Sequence, residues 1–280
     1  MIMKLHFLLG LIILVVIDIV LSSASPAKID FVTDNCKIEN TAFQSGETII
    51  YKAYYNWKFV WIPAGEATFN LIEKEDTYEI TVIGKTYKSY DSFFKVRDYF
   101  HSEIDKNTMF PKSFVRIVEE GNYRKFDSIQ FMQDKLTATS FNGRTKDTAI
   151  KKIIPIQQCT HDLLSVLYFM RNIEIARYNP GDQIPTKILF DETIYSINVK
   201  YEGKYPNFDI KDVGKMNTVK VIPDLVTGNV FKDGNRMHVW VTDDPNKLPL
   251  LIESPLSIGS AKAVLKSYSG LRYKMTEQRK

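Results

Sequence analysis

The stretch that decides the fold reads Ile49-Ile-Tyr-Lys-Ala-Tyr-Tyr-Asn-Trp-Lys-Phe-Val-Trp61. Its odd-numbered positions are all apolar or aromatic, whereas lysine and asparagine recur at the even-numbered positions. A two-residue period of this kind is typical of a long, half-buried β-strand. The break at Pro63 to Gly65 and the renewed alternation from Ala67 to Leu71 predict the return strand of a hairpin.

Similar patterns recur along the chain and are separated by residues that favour tight turns. The turn signals include Gly121-Asn122, Asn142-Gly143 and the segment from Lys232 to Asn235. We expect further strands at Tyr78–Ile83, Phe93–Ile104, Ser113–Glu119, Tyr123–Phe131, Leu136–Phe141, Lys187–Phe190, Thr193–Tyr201, Thr218–Val221, Arg236–Thr242, Leu248–Glu253 and Ser260–Tyr268.

One segment, at 160–173, has a helical period instead. Thr160 is the predicted N-cap residue, and Asp162 in the first turn complements the helix dipole. The helix is expected to end near Asn172, because the following Asn-Pro-Gly cannot continue it. Its apolar stripe consists of Leu163, Leu164, Leu167 and Met170.

A dozen short strands and one amphipathic helix predict a mainly β, antiparallel protein. So long a sheet must curl, since open edges favour aggregation. We expect a curved sheet or incomplete barrel with the helix against it, and two stacked sandwiches are the alternative. Because the helix divides the chain almost evenly, an arrangement of two lobes meeting near residues 155–175 also stays open.

The composition restricts the class of protein. Of the 280 residues, 44% are hydrophobic and 25% are charged, which excludes both a disordered chain and an integral membrane protein. The 37 basic residues exceed the 33 acidic ones by too little to indicate binding to nucleic acid. Aromatic residues reach 12%, which favours strands.

The N-terminus has the features of a secretory signal peptide. Lys4 precedes an apolar run from Phe7 to Ile17, and small residues at Ser22 and Ala24 fit a cleavage site. A retained membrane anchor is the alternative, but Asp18 interrupts the run. We therefore predict a signal peptide over 1–24, a single β-rich domain over 25–272 and a polar tail over 273–280.

Two cysteines, Cys36 and Cys159, lie in the exported part of the chain. An even number of cysteines in an oxidising compartment predicts a disulfide. Two unrelated buried thiols are the alternative, because free cysteine is often buried. Neither cysteine belongs to a Cys-x-x-Cys or Cys/His cluster, so no metal site is predicted from them.

Motifs of known catalytic chemistry are missing from the sequence. It has no Gly-x-Gly-x-x-Gly, no P-loop and no Gly-x-Ser-x-Gly, and its histidines are isolated. We assign no catalytic residue and no cofactor. The turn with Asp243, Asp244 and Asn246 is a weak candidate for Ca²⁺, but it offers too few oxygen ligands, and an ordinary turn is favoured.

The aromatic strand supplies the candidate binding residues. Tyr55, Trp57, Phe59 and Trp61 would line one face over about 20 Å, and His238 would share a face with Trp240. Rings arranged in this way stack on sugars or line a lipid-sized cavity. The alternative is that the aromatic strand residues are the core face of the sheet and that His238 and Trp240 are a simple packing pair.

Four segments resemble an exported bacterial family catalogued as domain of unknown function 3108 (DUF3108), in its Bacteroidetes versions. They are Ala42-Phe-Gln-Ser-Gly-Glu-Thr-Ile-Ile-Tyr51, Trp61-Ile-Pro-Ala-Gly-Glu-Ala67, Cys159-Thr-His-Asp-Leu-Leu-Ser-Val-Leu-Tyr168 and Val239-Trp-Val-Thr-Asp-Asp-Pro-Asn246. The resemblance covers about residues 36–272. It implies an envelope protein of a Gram-negative cell and supplies no catalytic residues.

These observations favour a non-enzymatic binding or carrier module in the periplasm or at the outer-membrane face. Its expected partner is a lipid, a glycan or an envelope protein, with peripheral membrane contact and no nucleic acid. The alternative is a hydrolase that acts on envelope polysaccharide through paired carboxylates. A structural envelope protein is a third hypothesis. An open apolar groove would favour the carrier, whereas a polar cleft with two carboxyl groups about 5 to 10 Å apart would favour the hydrolase.

Overall fold

The computed structural model describes residues 36–57, 60–224, 236–255 and 259–275. The predicted signal peptide, Phe59, the side chain of Trp57 and the predicted turn at 232–235 lie outside this description. Within these ranges, no helix is long and apolar enough to cross a membrane.

The described chain consists mainly of β-strands, which confirms the predicted fold class. Its α-helix, α1, spans Leu163–Arg171. The strands are β1 (Thr48–Trp57), β2 (Val60–Glu73), β3 (Thr77–Thr86), β4 (Arg97–Asp105), β5 (Pro111–Glu120), β6 (Tyr123–Met132), β7 (Thr137–Gly143), β8 (Ile150–Pro155), β9 (Thr160–His161), β10 (Gln183–Phe190), β11 (Thr193–Ile210), β12 (Gly214–Pro223), β13 (His238–Thr242), β14 (Pro249–Pro255) and β15 (Ser260–Ser269).

All these strands belong to one sheet, in the order β8-β7-β6-β5-β4-β3-β2-β1-β15-β14-β13-β12-β11-β10-β9. Each strand from β1 to β7 pairs with its successor, as does each strand from β9 to β14. The antiparallel pairing of β15 with β1 joins these two meanders, and only β9 and β10 pair in parallel within the described sheet. The sheet is therefore open, with β8 and β9 as its ends.

The sheet curls around α1, as expected for an incomplete barrel. The helix packs against β4 in the first meander and against β9 and β10 in the second. Near the open ends, Lys152 of β8 lies 3.1 Å from Glu192 in the β10–β11 turn. Arg116 of β5 forms an ion pair with Asp191 in the same turn. Side chains, rather than main-chain ladders, thus bring the two ends of the sheet together.

The interior faces of β3–β6 form a filled core, which we call the closed half. Alternate residues of these strands point inward and are shielded from solvent, as the period of two requires. Phe43, from the segment before β1, and Leu164 of α1 cover them. The fully buried strand residues include Ile80, Val82, Phe100, Ile104, Phe114 and Ile129.

The segment before β1 is fixed at both its ends. Cys36 and Cys159 form the disulfide that the sequence predicts, with Cα atoms 5.7 Å apart, a normal separation. Further along, the main-chain N–H groups of Thr41 and Ala42 donate to Asn172 Oδ1 at 2.7 and 3.0 Å. These contacts hold Phe43 over the closed half, where its ring packs edge-on against neighbouring tyrosines.

The predicted position of the turn between β1 and β2 is wrong. The chain reverses between Trp57 and Val60 rather than at Pro63 to Gly65, because these two residues pair with each other. Pro63 and Gly65 lie inside β2, on either side of a bulge in this strand at Ala64, which has no partner in β1. Tyr51, Tyr54, Tyr55 and Trp57 therefore belong to β1, whereas Trp61 belongs to the antiparallel β2.

The N-terminus of α1 corrects a second prediction. The N-cap residue is Asp162, whose carboxylate accepts from the main-chain N–H groups of Leu164 and Ser165 at 2.7 and 2.8 Å. Thr160 lies earlier, in β9, and its hydroxyl donates to the Gln157 carbonyl. Asp162 rather than Thr160 caps the helix, because its carboxylate accepts from two free N–H groups of the first turn and complements the helix dipole.

Candidate functional site

An apolar groove lies on the inner side of β10–β14, beneath α1. We call this region the open half. The groove has a volume of about 210 Å³, larger than the ~150 Å³ cavity that binds benzene in an engineered protein. The strand residues that line it include Thr186, Ile188, Ile197, Val199, Val221, Pro223, Val239, Val241, Pro249 and Ile252.

The groove is open because small side chains line it and the helix does not fill it. Val221, Val239 and Val241 are only partly buried, although their side chains face the interior of the curl. On the helix, Leu163 and Leu164 are buried, whereas Leu167 stays 45% exposed and lines the groove. The predicted apolar stripe of the helix is thus divided between a core and an open surface.

A buried ion pair lies at one end of the groove. Arg171 donates to both carboxylate oxygens of Glu47, at 2.6 and 2.7 Å, and to the carbonyl of Asn246 at 3.0 Å. Burial disfavours the charged guanidinium, but its bonds to Glu47 prevail and raise the pKa of Arg171. Because both partners are buried and matched, the pair adds no net charge to the groove.

Lys247 lines the same end of the groove and is only half-buried. Burial is the main cause that lowers the pKa of its ammonium. In the described part of the chain, no carboxylate lies within ion-pair distance of Lys247. The carboxylates that act on it from further away are Asp244 and Glu174. At the opposite end, the exposed Asp224 lines the groove.

The predicted aromatic ladder does not exist as one surface. Tyr55 is buried and points inward, like Tyr51 on the same strand. Trp61 pairs with Asn56 and so lies on the outer face, half-buried, where the Lys262 ammonium sits 4.1 Å above its ring. Tyr55 and Trp61 therefore lie on opposite faces of the hairpin, and Trp57 and Phe59 lie outside the described side chains.

His238 and Trp240 do share a face, with ring centroids 5.8 Å apart. Trp240 is buried, however, because Phe208 from the bent hairpin of β11 and β12 stacks on it at 5.3 Å. The ammonium of Lys220 lies 5.0 Å over the indole. This cluster is a packed layer on the outer side of the sheet rather than an open platform.

The turn proposed as a weak cation site is built from its own hydrogen bonds. Asp244 Oδ1 accepts from the Thr242 hydroxyl at 2.7 Å and from the Asn246 main chain at 2.9 Å. Asp243 is exposed and pairs with Lys204 at 2.9 Å. No cluster of three or more metal-ligating His, Cys, Asp or Glu residues occurs in the described ranges. Ordinary turn chemistry accounts for these residues.

The closed half contains carboxyl groups in an unusual setting. Asp98 hydrogen-bonds with Glu120, and burial raises the pKa of Asp98. Burial also raises the pKa of Asp127 to about 6, although Arg116 lies 3.6 Å away. The Phe190 ring, 4.1 Å from this guanidinium, and Asp191 cover the cluster. Of these groups, Arg116 links β5 to the β10–β11 turn through Asp191, and none of them lines the groove.

Two further acidic residues, Glu66 and Glu119, lie in ion pairs away from the groove. Glu66 pairs with Lys266 at 2.6 Å, and Glu119 lies 4.0 Å from Arg124. Among the described residues that line the groove, Asp224 is the only carboxylate. The groove therefore lacks the two carboxyl groups that a glycosidase places on either side of its substrate.

Sequence reasoning missed the groove-lining residues. The alternation of Val239, Trp240 and Val241 predicted a strand and drew attention to the tryptophan, whereas the valines face the groove. The available signal was the small size of the residues at every second position of β12 and β13. Small inward residues indicate a poorly filled interior only when it is known which element packs against them, here α1.

The chain has recognisable relatives. The family model "Protein of unknown function (DUF3108)" matches residues 50–266. None of the curated proteins matches the chain. Its structure is similar to a β-barrel-like protein of domain of unknown function DUF1849 from Brucella abortus, with a TM-score of 0.54 and 11% identity over 81% of this chain and 99% of that chain. This likeness shows a common fold.

Two further solved structures overlap less well. One is a candidate exported protein with a YmcC-like fold from Bacteroides fragilis, with a TM-score of 0.31 and 13% identity over 84% of this chain and 100% of that chain. The other is a candidate lipoprotein from Parabacteroides distasonis, with a TM-score of 0.30 and 10% identity over the same shares. Scores of this size carry no conclusion about this chain.

Proposed function

We propose that this chain, which belongs to the DUF3108 family, is a binding protein of the cell envelope. In this proposal it is non-enzymatic and holds the acyl chain of a lipid in the groove of its open half. The observation that carries the proposal is the groove itself, whose aliphatic lining is left partly exposed inside the curl. The predicted signal peptide and the disulfide, which suits an oxidising compartment, support the location.

The groove leaves apolar surface exposed to water in a concave site. A folded monomer gains about 25 cal/mol for each Å² of apolar surface that leaves water. Val221, Val239, Val241 and Ile252 forgo part of that gain in the free protein, and an inserted acyl chain would supply it. Concave apolar sites of this kind are where small hydrophobic ligands bind.

The same lining favours binding over the hydrolase alternative. A glycosidase needs two carboxyl groups about 5 to 9.5 Å apart beside a polar cleft. The described groove offers Asp224 at one end and aliphatic side chains elsewhere. An acyl chain suits such a lining, whereas the hydroxyl groups of a glycan would find few hydrogen-bond partners there.

A matched pair of variants tests the proposal. Leu167→Gln places an amide in the groove at a position that is already 45% exposed, so the fold should tolerate it. Ile117→Gln makes the same kind of change at a 39% exposed position outside the groove. We expect the uncharged fluorescent probe N-phenyl-1-naphthylamine to bind the delipidated wild type and Ile117→Gln equally, and Leu167→Gln several-fold more weakly. If the probe fails to bind, or if both variants bind it equally, the groove is not the site.

The natural ligand is tested by native mass spectrometry of protein purified from its own envelope fraction. We expect an adduct with the mass of an acyl-chain lipid on the wild type and on Ile117→Gln, and a reduced adduct on Leu167→Gln. An adduct with the mass of a glycan, or equal lipid adducts on all three proteins, would contradict the proposal.

A further inference from the structure

The turn between β13 and β14 is a rigid support for one lysine. Asp244 accepts two hydrogen bonds inside the turn, and the main-chain N–H of Leu248 donates to the Thr242 hydroxyl at 2.9 Å. The side chain of Asn246 exchanges two hydrogen bonds with the main chain of Tyr273, both 3.0 Å long. The main-chain carbonyl of Asn246 accepts a hydrogen bond from the buried Arg171. These bonds fix the turn from three sides.

This turn places Lys247 at the end of the groove. Its main chain adopts the left-handed conformation, with φ at 44°, and its N–H donates to the Asp244 carbonyl at 3.2 Å. A residue other than glycine adopts this conformation only where the surroundings enforce it. The hydrogen bonds of the turn supply that enforcement, and the lysine side chain joins the groove lining.

The charges around Lys247 are already matched elsewhere. Glu174 lies 2.6 Å from Arg177, and Arg171 is matched by Glu47. Asp244, the remaining charged neighbour, accepts hydrogen bonds from the turn itself. In the described chain, the ammonium of Lys247 is thus left as the unmatched positive charge at this end of an apolar groove.

We propose that the groove selects an amphiphile with a negatively charged head, held by Lys247, and a single acyl chain that extends along β13. This inference rests on the proposed function and adds the class of ligand and its direction. The groove follows β13 from Val241, beside the lysine, toward Met237, a distance of about 13 Å at the rise of a strand. The carboxylate of Asp224, at the far end of the groove, would repel a negatively charged head. We therefore expect the head at the end that holds Lys247.

A pair of ligands with ten carbons each separates the head from the chain. Decanoate and 1-decanol differ in charge at the head, and both can compete with N-phenyl-1-naphthylamine for the groove at pH 8. We expect decanoate to bind the wild type about tenfold more tightly than 1-decanol, as a charge-assisted contact allows. Lys247→Met should remove this preference and leave the affinity for 1-decanol unchanged, and Lys247→Arg should keep the preference.

The control variant is Lys146→Met, which removes an exposed lysine that does not line the groove. It should bind both ligands as the wild type does. Equal affinities of the wild type for the two ligands, or a preference that survives in Lys247→Met, would overturn this inference while leaving the binding function intact. If neither ligand displaces the probe from the wild type, the proposed function fails as well. The ratio for the wild type decides the matter even if Lys247→Met does not fold.

Discussion

The closed half and the open half of the curl belong to one sheet and follow one alternation, yet one is filled and the other is not. In the closed half, Phe100 and Phe114 are fully buried against α1 and the segment that carries Phe43. In the open half, Val221 of β12 and Val239 and Val241 of β13 occupy inward positions and remain partly exposed. Both halves have the same alternation of inward and outward residues. Whether an inward face becomes a core or a binding surface therefore depends on the volume of its side chains and on the segments that pack over it.

The largest expected effect tests the closed half directly. Phe100→Ala should lower the free energy of unfolding by about 3–5 kcal/mol, the usual cost of truncating a fully buried phenylalanine. Val239→Ala in the open half should cost about 1 kcal/mol or less, because its side chain is already partly exposed. Urea denaturation of both variants measures the difference. Equal losses would mean that the two halves are packed alike.

The second effect concerns the covalent anchor of the segment that covers the closed half. The disulfide joins residues separated by 123 positions. Replacing Cys36 and Cys159 together by serine should lower the free energy of unfolding by about 2–4 kcal/mol. Urea denaturation of the oxidised wild type and the double variant provides the measurement. As a control, denatured but unreduced wild-type protein should show no free thiol; two titratable thiols would contradict the bridge.

The third effect uses pH to distinguish the halves. Burial raises the pKa of Asp98, and it raises the pKa of Asp127 and of Asp162 to about 6 each, from an ordinary 3.8. The folded state therefore holds these protons more tightly than the unfolded state does. The resulting stability is fully present below about pH 4 and is lost as the pH rises through about 6, on the order of 3 kcal/mol for each of Asp127 and Asp162.

A near-isosteric variant checks this sign. Asp127→Asn should flatten the fall in stability between pH 4 and 7, whereas Asp224→Asn at the groove should leave it as in the wild type. Chemical denaturation at intervals across this range gives the slopes. A stability that rises with pH in that window, or equal slopes for Asp127→Asn and the wild type, would show that the buried carboxyl groups do not contribute as described.

The smallest expected change in the free energy of unfolding is for a substitution on α1, which lies between the two halves. Leu167→Ala, at the groove, should change the free energy of unfolding by less than about 1 kcal/mol, because the side chain is 45% exposed. Leu164→Ala, three positions earlier and fully buried, should cost about 2–5 kcal/mol. Thermal melts of the two variants would show whether the helix indeed separates a packed core from an open surface. Similar losses would remove that distinction.

Much of the architecture could be predicted from the residues. Alternation identified most strands, because burial on one face of a sheet imposes a period of two regardless of what covers that face. The cysteine pairing was predicted from the number of cysteines and the signs of export. The reversal of the first hairpin was misplaced, because Pro63 and Gly65 usually interrupt a strand, whereas here they flank a bulge within β2.

The sequence by itself determined that the chain is mainly β, which residues of each strand share a face, and that one amphipathic helix divides two runs of strands. The tertiary structure alone decided what each face meets: Trp240 lies under Phe208, Tyr55 points inward, and Leu167 and Lys247 border the groove. The physical reason is that alternation records local burial, whereas the filling of an interior depends on how the volumes of distant side chains match across a curved sheet.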